Sequence, residues 1–154
     1  MNLYIYNKTN NEFYKMDVPV EKETSKIFYF DKAVLRHRLN DLELGLSDQA
    51  DAYFRKVIND SRVYKDVLPL MSLGQDFDAD NPSRGAMYVL SATEMSMEEI
   101  KSLWSRAVNN HIARVEQDIV YMNEALSKMK QLLANVNDLD ETTDLDNEDE
   151  ERDR

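Results

Sequence analysis

The clearest chemical spacing in the chain is Asp76, Asp78 and Asp80, within Gly74-Gln-Asp-Phe-Asp-Ala-Asp-Asn-Pro-Ser-Arg-Gly85. Carboxylates at positions one, three and five open a calcium loop, because their oxygens must converge on one hard cation. Position six is then Asn81 where the turn needs glycine, and position twelve is Met87 where a bidentate Glu is required. An Asp-rich turn ended by Pro82 accounts for the same residues. A metal-dependent hydrolase using residues 76–84 is therefore kept only as a second alternative. Asp144, Asp146 and Glu148 repeat the spacing more weakly.

Proton transfer and nucleophilic chemistry have less to draw on. His37 lies between Arg36 and Arg38, off the apolar stripe of its helix, which makes it a solvated side chain rather than a general base. His111 flanks a different stripe. With three glycines in the whole chain, none of G-x-S-x-G, G-x-x-x-x-G-K or G-x-G-x-x-G can be written, so the common nucleophile elbow and phosphate cradles are excluded. The absence of cysteine removes thiolate nucleophiles, thiolate metal sites and disulfides together. The expectation is a protein that is not an enzyme, with no catalytic residue, no resident metal and no cofactor.

Charge points to a partner instead. The 154 residues carry 30 acidic and 19 basic side chains, a net −11. Residues 137–154 hold Asp138, Asp140, Glu141, Asp144, Asp146, Glu148, Asp149, Glu150, Glu151 and Asp153 against Arg152 and Arg154, a net −8, which leaves −3 for the rest. Only Leu139 and Leu145 are apolar there. They are too few to offset an ordering cost of roughly 1 to 2 kcal/mol per residue, so a disordered acidic tail is expected. Lys32, Arg36, Arg38, Arg55, Lys56, Arg62 and Lys65 look like a basic patch, but Asp31, Asp41, Glu43, Asp48, Asp51, Asp60 and Asp66 cancel them. Direct nucleic-acid binding is not expected from this balance. A protein partner with a basic surface is, with residues 138–151 as the contact.

The elements that would position these groups read as α+β. Leu3 and Ile5 alternate with Tyr4 and Tyr6, turn residues Thr9-Asn10-Asn11 follow, and Tyr14, Met16 and Val18 share one face, giving strands at 3–7 and 12–18. Residues 26–30 read as a strand apolar on both faces and 86–92 as a fourth, making one small antiparallel sheet of about four strands. Tyr4, Tyr6, Phe28 and Phe30 would stack bases on an open sheet face and become core on a covered one. Asp31 is an N-cap, and Leu35, Leu39, Leu42 and Leu46 mark a helix at 32–44 ended by Gly45. Ser47 caps a helix at 48–60 carrying Ala50, Tyr53, Phe54, Val57 and Ile58. Val63, Val67 and Leu68 extend that pattern to a helix at 62–68, and Pro69 stops it.

The last element is the most informative. Ser96-Met97-Glu98-Glu99 is a capping box, and no Pro or Gly follows it. From there to 136 the chain reads as one long helix with two stripes. Ile100, Trp104, Ala107 and His111 form the first. Val108, Ile112, Val115, Ile119, Met122, Leu126, Met129, Leu133 and Val136 form the second, spaced alternately 4 and 3, a heptad seam one residue out of phase with the first. The slip falls at Asn109-Asn110. The first stripe is expected to pack on the body and the seam on a second helix. That helix is another copy in a coiled-coil homo-oligomer, a helix of a different partner, or an internal one at 32–60.

Residues Tyr4 to Tyr14, Tyr-Ile-Tyr-Asn-Lys-Thr-Asn-Asn-Glu-Phe-Tyr, resemble the opening hairpin of phage tail-fibre assembly proteins. The likeness covers about eleven residues and nothing after Val18, so it carries no site residue across. The apolar runs are far shorter than the roughly 20 residues of a membrane helix, and the N-terminus lacks a basic and apolar leader, so a cytoplasmic protein is expected. The sequence reading is thus an α+β body at 1–95, a long helix at 96–136 with a coiled-coil seam at 108–136, and an acidic tail at 137–154. Its function is expected to be that of an acidic, oligomeric inhibitor or antagonist of a protein, of the antitoxin, immunity or mobile-element kind. The alternative is an assembly chaperone or scaffold component of a virion or other large complex.

Overall fold

Short polar side chains build the first hairpin. Strand β1 (Asn2–Asn7) and strand β2 (Glu12–Asp17) pair antiparallel, with Ile5 opposite Tyr14. In the turn, Asn7 Oδ1 accepts the Thr9 amide at 3.0 Å and Asn10 Oδ1 accepts the Glu12 amide at 3.0 Å. Asn11 takes the left-handed conformation at φ 60°, which asparagine tolerates because its side chain bonds locally. The structure is a computed structural model that describes residues 1–43, 50–78 and 82–140, without the side chains of Asp76 and Asp78. It forms two compact units, Met1–Asn110 and the segment from His111 onward.

In the first unit, β1 is central to a four-stranded antiparallel sheet in the order β2-β1-β7-β6, with β6 at Leu70–Ser72 and β7 at Ala86–Ser91. A second, three-stranded sheet has the order β3-β4-β5, with β3 at Val20–Glu23, β4 at Ile27–Phe30 and β5 at Arg62–Tyr64. The expected single sheet is therefore two. Strand β4 does not join β1, and Ile27, Phe28 and Tyr29 are half-buried rather than covered on both faces. Charged β3, fully exposed, forms the edge that keeps β4 from further pairing.

Helices fill one side. Helix α1 (Lys32–Asp41) starts at Asp31, whose carboxylate accepts the Ala33 amide at 2.8 Å, and buries Leu35 and Leu39. It ends before the expected 44, with Glu43 at φ 59°. Helix α2 (Ala52–Asp60) buries Phe54, Val57 and Ile58 and is capped by Asp51, which accepts the Phe54 amide at 2.8 Å. Ser47, the expected cap, lies outside the described residues, as do Gly45 and Leu46. The helix expected at 62–68 is absent: Ser61 turns left-handed at φ 58°, and Arg62-Val63-Tyr64 pairs with β4 before a single 3₁₀ turn at Lys65–Val67. A β-branched and an aromatic residue favour that pairing.

One continuous core joins these layers. Leu3, Ile5, Tyr88 and Leu90 of the larger sheet meet Phe30, Leu35, Leu39, Phe54, Ile58 and Val63. The other face of the same sheet, with Tyr4, Met87 and Val89, packs on helix α3 (Met97–Asn137) through Ile100 and Trp104. Strand β7 is accordingly buried at all six positions, as a strand covered on both faces must be.

Tyr88 carries a cost. Its ring stacks on Phe54 at 5.0 Å, but its hydroxyl is fully buried and has no hydrogen-bond partner among the described residues. Burial pushes the phenol well above its ordinary value of 10.0, because the phenolate cannot be solvated there. Two outcomes are expected from Tyr88→Phe in thermal unfolding. Near neutral pH the variant is as stable as wild type or more so, by up to about 1 kcal/mol, since an unpaired buried hydroxyl is removed. Above pH 10 wild type loses stability faster than the variant. The unfolded chain releases the Tyr88 proton there while the folded chain holds it, and stability falls wherever the folded state binds more protons.

Candidate functional site

Helix α3 starts where its capping box places it. The Glu99 amide donates to Ser96 Oγ at 3.1 Å, and the Ser96 amide donates back to Glu99 Oε1 at 3.4 Å. In the loop before it, the Met95 amide donates to the Tyr4 hydroxyl at 2.8 Å. Glu94 pairs with Lys15 of β2, which raises the lysine's pKa and lowers the carboxyl's, each chiefly through that hydrogen bond. The first turns of α3 are thus held to the four-stranded sheet at their entry.

Aromatic packing fixes the rest of the first stripe. Ile100 is 1% exposed and Trp104 7%. The indole lies 6.3 Å from the rings of both Tyr6 and Phe13, and its Nε1 donates to the Tyr88 carbonyl at 3.4 Å. Tyr4 is buried and Tyr6 half-buried here. Phe30 is buried in the opposite core and half-buried Phe28 packs against it, so the four aromatics are divided between two cores and do not form one open stacking platform. Ala107, Val108 and His111 are half-buried, and Asn109 and Asn110 are exposed.

Beyond that point the second stripe is open. Ile112, Val115, Ile119, Met122, Leu126, Met129, Leu133 and Val136 are all exposed, from 43% for Val115 to 72% for Met122. They belong to one uninterrupted helix, so the 4-and-3 spacing places them on one face over about 36 Å. Val108, counted in the seam from its spacing, is the one member that is half-buried. Val120, Tyr121 and Leu132 are exposed as well but lie off the a and d positions. A solvent-facing row of eight large apolar residues is the kind of patch that marks an interaction surface.

The charged candidates are scattered by comparison. Asp138 and Asp140 are exposed at the end of α3, while Glu141, Asp144, Asp146, Glu148, Asp149, Glu150 and Glu151 lie outside the described residues. Asp80 does too, and the side chains of Asp76 and Asp78 are not described. His37 is exposed, 3.9 Å from Asp41. Several of these basic residues serve the fold: Lys32 donates to the Asn59 carbonyl at 3.2 Å, Arg36 to Asn59 Oδ1 and Arg38 to the Asp17 carbonyl, and Lys65 pairs with Glu23 at 3.2 Å. The sequence reading missed an open groove of about 270 Å³ between α2 and β5, lined by Tyr53, Lys56, Val57, Asp60, Arg62 and Tyr64. Reading β5 as a helix hid it, since Arg62 and Tyr64 share a face only in a strand.

No protein family matches this chain, and neither does any curated protein or solved structure. The site must be read from its own geometry. Among the described residues no helix is long and apolar enough to cross a membrane, and no three His, Asp or Glu are gathered as metal ligands.

The two stripes should respond oppositely to truncation. Trp104→Ala removes a buried indole and should cost the fold about 3 kcal/mol or more. Leu126→Ala, measured at sub-micromolar protein, should change the melting of the Met1–Asn110 unit by less than about 0.5 kcal/mol. Chemical denaturation followed by near-UV circular dichroism reads both.

Proposed function

We propose that this protein is a non-enzymatic, acidic protein-binding protein that self-associates through the 108–136 seam and docks residues 138–151 on a basic surface of a protein partner. It would act as an oligomeric inhibitor or antagonist. The observation that carries this reading is the exposed row from Ile112 to Val136, following directly on a buried stripe of the same helix. The apolar faces of α1 and α2, which an internal helical hairpin would need, are already buried in the core through Leu35, Leu39, Phe54, Val57 and Ile58. A second copy supplies an equivalent face without cost to that core.

The partner reading follows from the −8 of residues 137–154. Concentrated like charge steers encounter with an oppositely charged surface and makes capture salt-dependent. An assembly chaperone would use the same seam and tail, and is separated from an antagonist by the product it is found on.

Two variants test the reading. Ile119→Asp would place a carboxylate in the apolar seam, and dissolving the interface costs less than burying the charge. Light scattering should show a folded monomer with its near-UV signal intact and its helical circular dichroism reduced, because an unpartnered helix frays. A variant that unfolds globally, from a wild type already monomeric at tens of micromolar, would mean that the seam is internal. Removing residues 137–154 should shift the melting temperature by less than about 5 °C. It should also weaken partner capture in matched affinity purifications, and the wild-type interaction should fade between about 50 and about 500 mM salt. Capture indifferent to both would refute the acidic docking role.

A further inference from the structure

The seam has a direction written into its flanks. Heptad position a holds Ile112, Ile119, Leu126 and Leu133, and d holds Val115, Met122, Met129 and Val136. The flanking e positions are Glu116, Asn123, Lys130 and Asn137, and the g positions are His111, Asp118, Ala125 and Leu132. In a parallel pair each g residue faces the e residue of the next heptad. Lys130 then meets the partner's Ala125 and Asp118 the partner's Asn123, so neither charge finds a counter-charge, and Glu116 meets the partner's His111, which is half-buried. The two acidic segments, −8 each, also emerge at the same end, where salt screens only beyond about 8 Å.

The antiparallel arrangement gives Lys130 a counter-charge and separates the acidic segments in a single register, with Asp118 beside the partner's Leu132. Ile112 packs with the partner's Val136, Val115 with the partner's Leu133, Ile119 with the partner's Met129, and Met122 with the partner's Leu126; two-fold symmetry repeats each layer. In this register e faces e, so Glu116 lies beside the partner's Lys130, twice per dimer. A shift of one heptad either way puts Glu116 against the partner's Asn123 or Asn137 and loses both ion pairs. The register also uses the eight exposed seam residues and leaves out Val108, which is half-buried in the first unit. The acidic segments then leave from opposite ends.

We infer that the occupant of the exposed seam is a second copy of this chain, running antiparallel in the register that pairs Glu116 with Lys130. This rests on the self-association proposed above and adds orientation and register to it. The dimer would be a spacer that presents one acidic segment at each end of a helix pair about 36 Å long, an arrangement suited to bridging two basic sites.

The chain's lack of cysteine makes the test direct. Ile112→Cys and Val136→Cys are made separately in the full chain, and each is oxidised alone and then mixed with the other. Cα atoms must lie within about 7 Å for a disulfide, whereas positions 112 and 136 are separated by about 36 Å along the helix. The antiparallel register requires a linked dimer in the mixture and none from either variant alone. A second pair avoids the seam interior. Glu116→Lys and Lys130→Glu should each self-associate about tenfold more weakly than wild type at low salt, and a mixture of the two should recover wild-type affinity to within about twofold, because both ion pairs re-form in the heterodimer. Self-linking of Ile112→Cys, or no recovery on mixing, overturns the antiparallel order while leaving self-association in place. A wild type that stays monomeric at tens of micromolar overturns both.

Discussion

One constraint governs the molecule: the four-stranded sheet has only a limited apolar face to offer α3, and the helix carries more apolar surface than that face can cover. Ile100, Leu103 and Trp104 meet Tyr4, Tyr6, Met71, Met87 and Val89. Eight exposed apolar residues of the second stripe follow on the same helix. At roughly 25 cal/mol per Å² of apolar surface removed from water, covering such a row is worth several kcal/mol. The helix therefore carries one covered stripe and one exposed stripe, with the phase slip at Asn109-Asn110 between them.

The body is built to serve that first stripe. Double coverage of β7 forces all six of its residues inside, including a tyrosine whose hydroxyl has no hydrogen-bond partner among the described residues. Trp104 Nε1 is satisfied by a carbonyl of the same strand, so indole and strand are held together by a polar contact as well as by packing. The smaller sheet, α1 and α2 close the opposite side. Their exposed cations mostly hold neighbouring carbonyls and side chains, which leaves the concentrated acidity near the end of the chain as the dominant electrostatic feature.

Where local pattern carried the information, the sequence was legible. Alternation in Leu3-Tyr4-Ile5-Tyr6 set both faces of β1, the capping box set the start of α3, and the change of stripe separated buried Trp104 from exposed Ile112. Non-local pairing was not legible. Val63, Val67 and Leu68 fit a helical period as well as a strand, and a left-handed serine at 61 leaves no mark comparable to glycine. Strands β3, β5 and β6, at four, three and three residues, are too short for alternation to show. Division into two sheets depends on which edges meet, and no single segment encodes that. Periodicity marked the apolar row of α3, but only burial showed that Val108 is half-buried where the other eight members are exposed.

Hydrogen exchange of the full chain at two protein concentrations tests the central claim most directly. If the seam is covered by a second copy, amides of residues 112–136 gain protection as concentration rises from sub-micromolar to tens of micromolar, because the helix is held only in the associated state. Amides of β1 and β7 stay equally protected at both concentrations. Protection of 112–136 that does not change with concentration would contradict the account.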